Sequence, residues 1–135
     1  MNVLGAVLLA VLALAALQGA WRLAAVRRAR RLRGQVLPDD PLLDPWRDRD
    51  AALIYFHSPR CSACRRMAPR VQRLADAGHP LLQVDVTRHP DTARALGVLA
   101  TPTTVVVRNG RVAGTLIGSR SESALAEALA AAAPS

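Results

Sequence analysis

The chain has 135 residues, 51% of them hydrophobic, and a net charge of +8 from 18 basic and 10 acidic residues. That length holds one small domain and little else. Residues 1–34 carry six arginines and no acid, whereas residues 35–135 carry twelve arginines against ten acids, so the basic excess belongs to the N-terminal flank and gives no nucleic-acid-binding face.

Residues 1–21 are uncharged, and Val3 to Ala20 are Val, Leu, Ala and Gly with one Gln before Trp21. About 20 apolar residues span a bilayer, and a Trp suits its interface. Arg22, Arg27, Arg28, Arg30, Arg31 and Arg33 follow. A cleaved signal peptide carries its positive charge ahead of the apolar run; here the charge comes after it. The expectation is a single transmembrane helix over residues 1–26 with a basic flank to 33. Because basic residues stay in the cytoplasm, the rest of the chain is expected on the cytoplasmic side of a bacterial-type inner membrane, with the periplasm as the alternative. A signal peptide and a buried core helix are the other two readings of the run. The arginines read as a topology signal that also suits anionic headgroups.

Residues 34–50 read as a linker, with Pro38, Pro41 and Pro45 among five aspartates. No strand is expected there; Leu42, Leu43 and Trp46 suit a short amphipathic turn docked on the domain. From Ala51 the elements alternate, and residues 51–133 are expected to form the domain. Leu53–His57 reads as a buried strand ended by Ser58-Pro59, and Cys61–Ala77 as a helix. Met67, Val71 and Leu74 lie on one face of that helix and its arginines mostly on the other, with Pro69 inside. Leu81–Val86 is a second strand and Pro90–Leu96 a short helix. Thr103–Val107 and Val112–Ile117 flank Asn109-Gly110, a strong hairpin sequence. A last helix runs to Ala132, capped by Ser119 or Ser121, with Ser119 and Glu122 at capping-box spacing. Strands joined through a helix run parallel, and hairpin strands antiparallel.

The two cysteines, Cys61 and Cys64, stand at the start of the first domain helix. Such a pair suits a structural bridge, half a metal site or a redox couple. A bridge over so short a loop stabilises little. The histidines His57, His79 and His89 fall at no zinc spacing. At a helix N-terminus the first thiol gains thiolate character from the helix dipole and the free backbone N–H groups.

Four features together resemble the thioredoxin family: Cys61-Ser62-Ala63-Cys64 after the first core strand, Pro69 in the helix, Ala100-Thr101-Pro102-Thr103 before the hairpin, and Asn109-Gly110 followed by Gly118. The resemblance implies an α/β thioredoxin-like fold, with a central mixed sheet of about four strands flanked by helices and preceded by the transmembrane helix. The family's extra N-terminal strand has no counterpart. It also implies a protein-disulfide oxidoreductase that needs no metal or organic cofactor. Cys61 matches the attacking thiol, Cys64 the resolving thiol and Pro102 the family's cis-proline. Thr101 matches the residue whose backbone pairs with substrate, and Gly118 a glycine beside the substrate groove. Arg60, Ser62 and Ala63 fall in the same groove. The partners implied are protein thiols and disulfides, a thioredoxin reductase-like electron donor, and the membrane through the N-terminal helix.

The chain departs from the family at three places. Ser62-Ala63 replaces Gly-Pro between the cysteines, a pair that tunes reduction potential. Arg60 replaces Trp, and Tyr55 takes the place of a buried aspartate that receives the resolving thiol's proton. Water or His57 is left for that task, although a polar strand end accounts for His57 as well. A binding module without redox turnover is the alternative from a different class.

Overall fold

The computed structural model describes residues 2–133. Two compact units follow one another, one up to Arg31 and one from Leu32 onward. Helix α1, Val3–Leu32, 30 residues long, makes up the first and ends on the first residue of the second. It has a mean hydropathy of 2.3 over its most apolar window and no buried residue there. By length and composition α1 is a candidate transmembrane span.

The second unit contains α2 (Asp44–Arg47), β1 (Ala51–His57), α3 (Ser62–Asp76), β2 (Leu81–Asp85), α4 (Pro90–Ala95), β3 (Thr103–Arg108), β4 (Arg111–Ile117) and α5 (Glu122–Ala132). One mixed sheet carries the strands in the order β2-β1-β3-β4. β1 and β2 are parallel, with Leu53 opposite Leu81 and His57 opposite Asp85. β3 runs antiparallel to both β1 and β4. The expected four-stranded mixed sheet is therefore present, because the helical crossover from β1 to β2 enforces a parallel pair and the tight turn an antiparallel one. In that turn Asn109 and Gly110 have φ of 50° and 74°. A side chain at Gly110 would also bring its Cβ to 2.9 Å from the Arg47 carbonyl oxygen.

Alternation along β1 sends side chains to two cores. Ala52, Ile54 and Phe56 pack with Val84, Val105 and Val107 beneath Leu37, Leu43, Ala93 and Leu96. Leu53 and Tyr55 pack on the opposite face against Met67, Val71 and Leu74 of α3 and Leu125 and Leu129 of α5. Burial of each large aliphatic side chain contributes roughly 1.5–3 kcal/mol.

Residues 34–50 form no strand element, and Leu42, Leu43 and Trp46 around α2 pack on the core as the expected short turn; Val36 adds an isolated antiparallel bridge with Arg111. The edge of β4 offers unpaired backbone groups, and Val112 N–H donates to the Gln35 carbonyl while Gly34 N–H donates to that of Val112. The segment is further held by Leu43, which is fully buried, and by the Thr92 hydroxyl, which donates to the Asp40 carboxylate. The capping box from Ser119 to Glu122 does not form. Ser121 is the N-cap, its Oγ accepting from Ala124 N–H at 3.1 Å, and Glu122 instead pairs with Arg73 of α3 at 2.7 Å.

Candidate active site

The topology gathers three loops at one end of the sheet. β1 ends there at His57 and leads through Ser58–Arg60 to Cys61. Because β3 is antiparallel, Thr103 at its start lies opposite Phe56 at the end of β1, so Ala100–Pro102 arrive beside that loop. Ile117 at the end of β4 lies opposite Thr103, and Gly118 N–H donates to the Pro102 carbonyl at 2.9 Å. The Thr101–Pro102 peptide bond is cis. The Thr103 hydroxyl donates to the Ala100 carbonyl at 2.7 Å, fixing the start of the strand against the loop.

Cys61 is the N-cap of α3, with extended φ and ψ of −89° and 112°. Its sulfur accepts from Cys64 N–H at 3.1 Å, taking up one of the N–H groups a helix start leaves free. Cys61 and Cys64 are joined as a disulfide with their Cα atoms 5.2 Å apart. The two cysteines differ in access: Cys64 is buried at 4% exposure, whereas Cys61 is half-buried. Cys64 belongs to the row that continues through Met67, Val71 and Leu74 into the core. Ser62 is exposed, Ala63 half-buried and Arg60 exposed. Thr101 and Gly118 are half-buried.

Beneath the pair, the Tyr55 hydroxyl donates to the Cys64 carbonyl at 3.5 Å. Burial raises the pKa of Tyr55 above its usual 10.0, so at neutral pH it is a phenol. Its ring stacks on that of His57 at 5.6 Å between centroids. His57 is paired in register with Asp85. The pKa of Asp85 lies below the usual 3.8, chiefly through the Thr87 hydroxyl and backbone N–H that donate to it, with smaller help from His57 and Arg88.

Two features of this end of the molecule are not evident from the sequence. Asp85 is 28 positions from His57 and meets it only through the parallel register; the one available clue is that both strands end in a polar residue. Leu99 and Ile117, 43% and 39% exposed, place apolar surface beside Thr101–Pro102 and Gly118. Here the clue is an apolar residue just outside each strand's buried stretch.

A family model for thioredoxin matches residues 44–131. The chain belongs to the thioredoxin family. A thioredoxin from Streptomyces clavuligerus is 27% identical over 84 residues, covering 61% of this chain and 78% of the relative. One from Bacillus subtilis is 33% identical over 78 residues, 56% of this chain and 75% of the relative. The solved structure of a variant thioredoxin from Halobacterium salinarum superposes with a TM-score of 0.66 at 27% identity, covering 74% of this chain and 89% of that one. The protein is thus a thioredoxin-like thiol–disulfide oxidoreductase, with a redox-active type of cysteine pair at the head of α3. Within this thioredoxin frame, the phenol of Tyr55 reaches the backbone carbonyl of the second cysteine.

Proposed function

We propose that the protein exchanges dithiols and disulfides with protein substrates through Cys61 and Cys64 while held at a membrane by α1. The observation that carries the reading is the unequal exposure of the two cysteines, Cys61 half-buried at the helix N-terminus and Cys64 buried in its first turn. In the reduced protein the N-terminus of α3 favours the thiolate form of Cys61. That thiolate attacks one sulfur of a substrate disulfide, forming a Cys61–substrate bond and releasing the other substrate sulfur as a thiolate. Cys64 then loses its proton and attacks Cys61 Sγ, closing the Cys61–Cys64 disulfide and releasing the second substrate thiolate. Two electrons and two protons pass to the substrate, and a reductase-like dithiol or flavin donor returns them. The reverse sequence oxidises a substrate dithiol.

The substrate lies against Arg60, Ser62 and Ala63 on one side and Thr101, Pro102 and Gly118 on the other, with Thr101 offering its backbone to a substrate strand. A Cys64→Ser variant is expected to accumulate mixed disulfides with substrate, because the first step proceeds and the second does not. Cys61→Ser is expected to accumulate none. Equal trapping by both variants, or absence of insulin reduction by the unaltered protein, overturns the assignment.

Residues 1–26 are taken as the membrane anchor with its basic flank to 33, and residues 51–133 as the catalytic domain, reached through 34–50. Position of the arginines after the apolar run supports an uncleaved anchor with the domain on the cytoplasmic side. A C-terminal reporter that works only in the cytoplasm is expected to be active. Activity of a periplasm-only reporter reverses the orientation, and release of a soluble, shortened chain makes α1 a signal sequence.

A further inference from the structure

Residues 51–75 and 96–121, which carry β1, most of α3, β3, β4 and the loops of the active-site end, hold eight arginines and no acid; the acid of β2 that reaches the same end is Asp85. Three of the eight, Arg60, Arg65 and Arg66, fall within five positions of Cys61 and are exposed. Among the described residues none of the three has an ion-pair partner, whereas Arg47, Arg73 and Arg94 are each paired.

Their placement brackets the cysteines. Arg60 immediately precedes Cys61. Arg65 is seven residues before Gln72, hence on the same side of α3, and Gln72 accepts a hydrogen bond from Gln83 of β2. Arg66 lies four residues before Arg70 and seven before Arg73, which reach the Arg120 carbonyl and Glu122 on the α5 side. Free cations therefore stand before Cys61 and on both flanks of the helix start. Asp85, which the strands bring to the same end, accepts from the Thr87 backbone and hydroxyl and stays a carboxylate, so three arginines against one acid leave the positive sign in excess. Exposed arginines without partners present a positive field to an approaching chain and offer bidentate donors to its carboxylates.

We propose that the preferred substrates are protein disulfides flanked by acidic residues, with Arg60, Arg65 and Arg66 as the specificity determinants. This rests on the exchange reading above. A carboxylate within about 8 Å of a guanidinium in solvent changes binding only modestly per pair. Two or three such pairs add to a preference of about tenfold in kcat/KM for an acidic over a basic substrate at low salt.

The test uses the full-length protein in uncharged detergent, reduced beforehand, with three disulfides: a disulfide-bonded peptide flanked by Asp and Glu, the same peptide flanked by Lys, and neutral bis(2-hydroxyethyl) disulfide. Each peptide rate is divided by the rate on the neutral compound, which removes differences in intrinsic thiol reactivity. The acidic-to-basic ratio is expected to be about tenfold at low salt and to fall toward unity in 1 M salt, where the screening length is about 3 Å. In Arg60→Gln/Arg65→Gln/Arg66→Gln the low-salt ratio is expected to fall to within about twofold of unity. A ratio near unity or favouring the basic peptide in the unaltered protein overturns the proposal, as does an unchanged ratio in the triple variant. Failure to reduce the neutral disulfide marks a different fault, in the exchange reading itself, and removes both.

Discussion

The hydroxyl of Tyr55 reaches the backbone carbonyl of Cys64 at 3.5 Å, from a side chain only 2% exposed. This long hydrogen bond ties the phenol to the backbone of the buried cysteine that is proposed to act as the resolving thiol. Burial keeps Tyr55 protonated by raising its pKa above 10.0, so the phenol cannot act as a base at neutral pH. Tyr55→Phe should therefore leave the rate of mixed-disulfide resolution within about twofold and cost less than about 1 kcal/mol, because a hydrogen bond at the limit of length is all that is lost. Single-turnover release of substrate thiol, followed with a labelled peptide, reads the first effect and urea unfolding the second. A tenfold slower resolution would give the hydroxyl a direct part in the proton transfer.

Acid stability follows from two aspartates. The Asp40 carboxyl lies below the usual 3.8 chiefly because the Thr92 hydroxyl and then Leu42 N–H donate to it; His89 and Arg47 add a smaller attraction. Asp85 is lowered in the same direction by Thr87. A folded-state pKa below the unfolded one means that the folded state binds fewer protons. The resulting stability is complete above the unfolded value of 3.8 and is lost as pH falls from there through the folded pKa. Unfolding midpoints are thus expected to be flat at neutral pH and to drop below about pH 4. Asp40→Asn should lower stability at pH 7 by about 1 kcal/mol and make the acid limb shallower. An unchanged acid limb would remove Asp40 from the linkage.

Leu43 is fully buried against the core face formed by Ile54, Phe56, Val84 and Val105. It comes from the proline- and aspartate-rich stretch before β1, which nevertheless closes that face. Leu43→Ala should cost about 2–5 kcal/mol, the range for a buried leucine whose cavity does not collapse. Denaturant unfolding of the oxidised protein measures it. A loss below about 1 kcal/mol would mean that the segment detaches without consequence for the core.

The sheet was legible in the sequence because each strand is short, apolar and bounded by a turn residue. Leu53–His57 before Ser58-Pro59 and Thr103–Val107 before Asn109-Gly110 leave little choice of element or direction. The proximity of the Cys61 loop to Thr101–Pro102 was legible only through family resemblance; no local pattern fixes that two loops 40 positions apart share one end of a sheet. In residues 34–50 the docked turn was legible from its apolar residues Leu42, Leu43 and Trp46. The bridge from Val36 to Arg111 was not, because it depends on a free edge at β4, a property of the assembled sheet rather than of the segment. The choice between Ser119 and Ser121 as cap was open for a similar reason. Both serines precede the helix, and Glu122 finds a better partner in Arg73 than in the backbone of its own helix start.

Thr104 offers a test of packing close to the same site. It lies opposite Tyr55 on β3, 1% exposed, and its hydroxyl has no hydrogen-bond partner among the described residues. Alternation places it on the same face as Tyr55, among the apolar side chains beneath α3 and α5. A hydroxyl taken from water without a partner costs about 1–3 kcal/mol. Valine has nearly the same shape, and its branched Cβ suits a strand. Thr104→Val is therefore expected to raise the unfolding free energy by about 1–2 kcal/mol while insulin reduction stays unchanged. Urea unfolding of the oxidised protein with an unaltered m-value would attribute the gain to the folded state. A loss of stability would show that the hydroxyl makes a hydrogen bond in solution, and a loss of activity alone would tie Thr104 to the position of Tyr55 beneath Cys64.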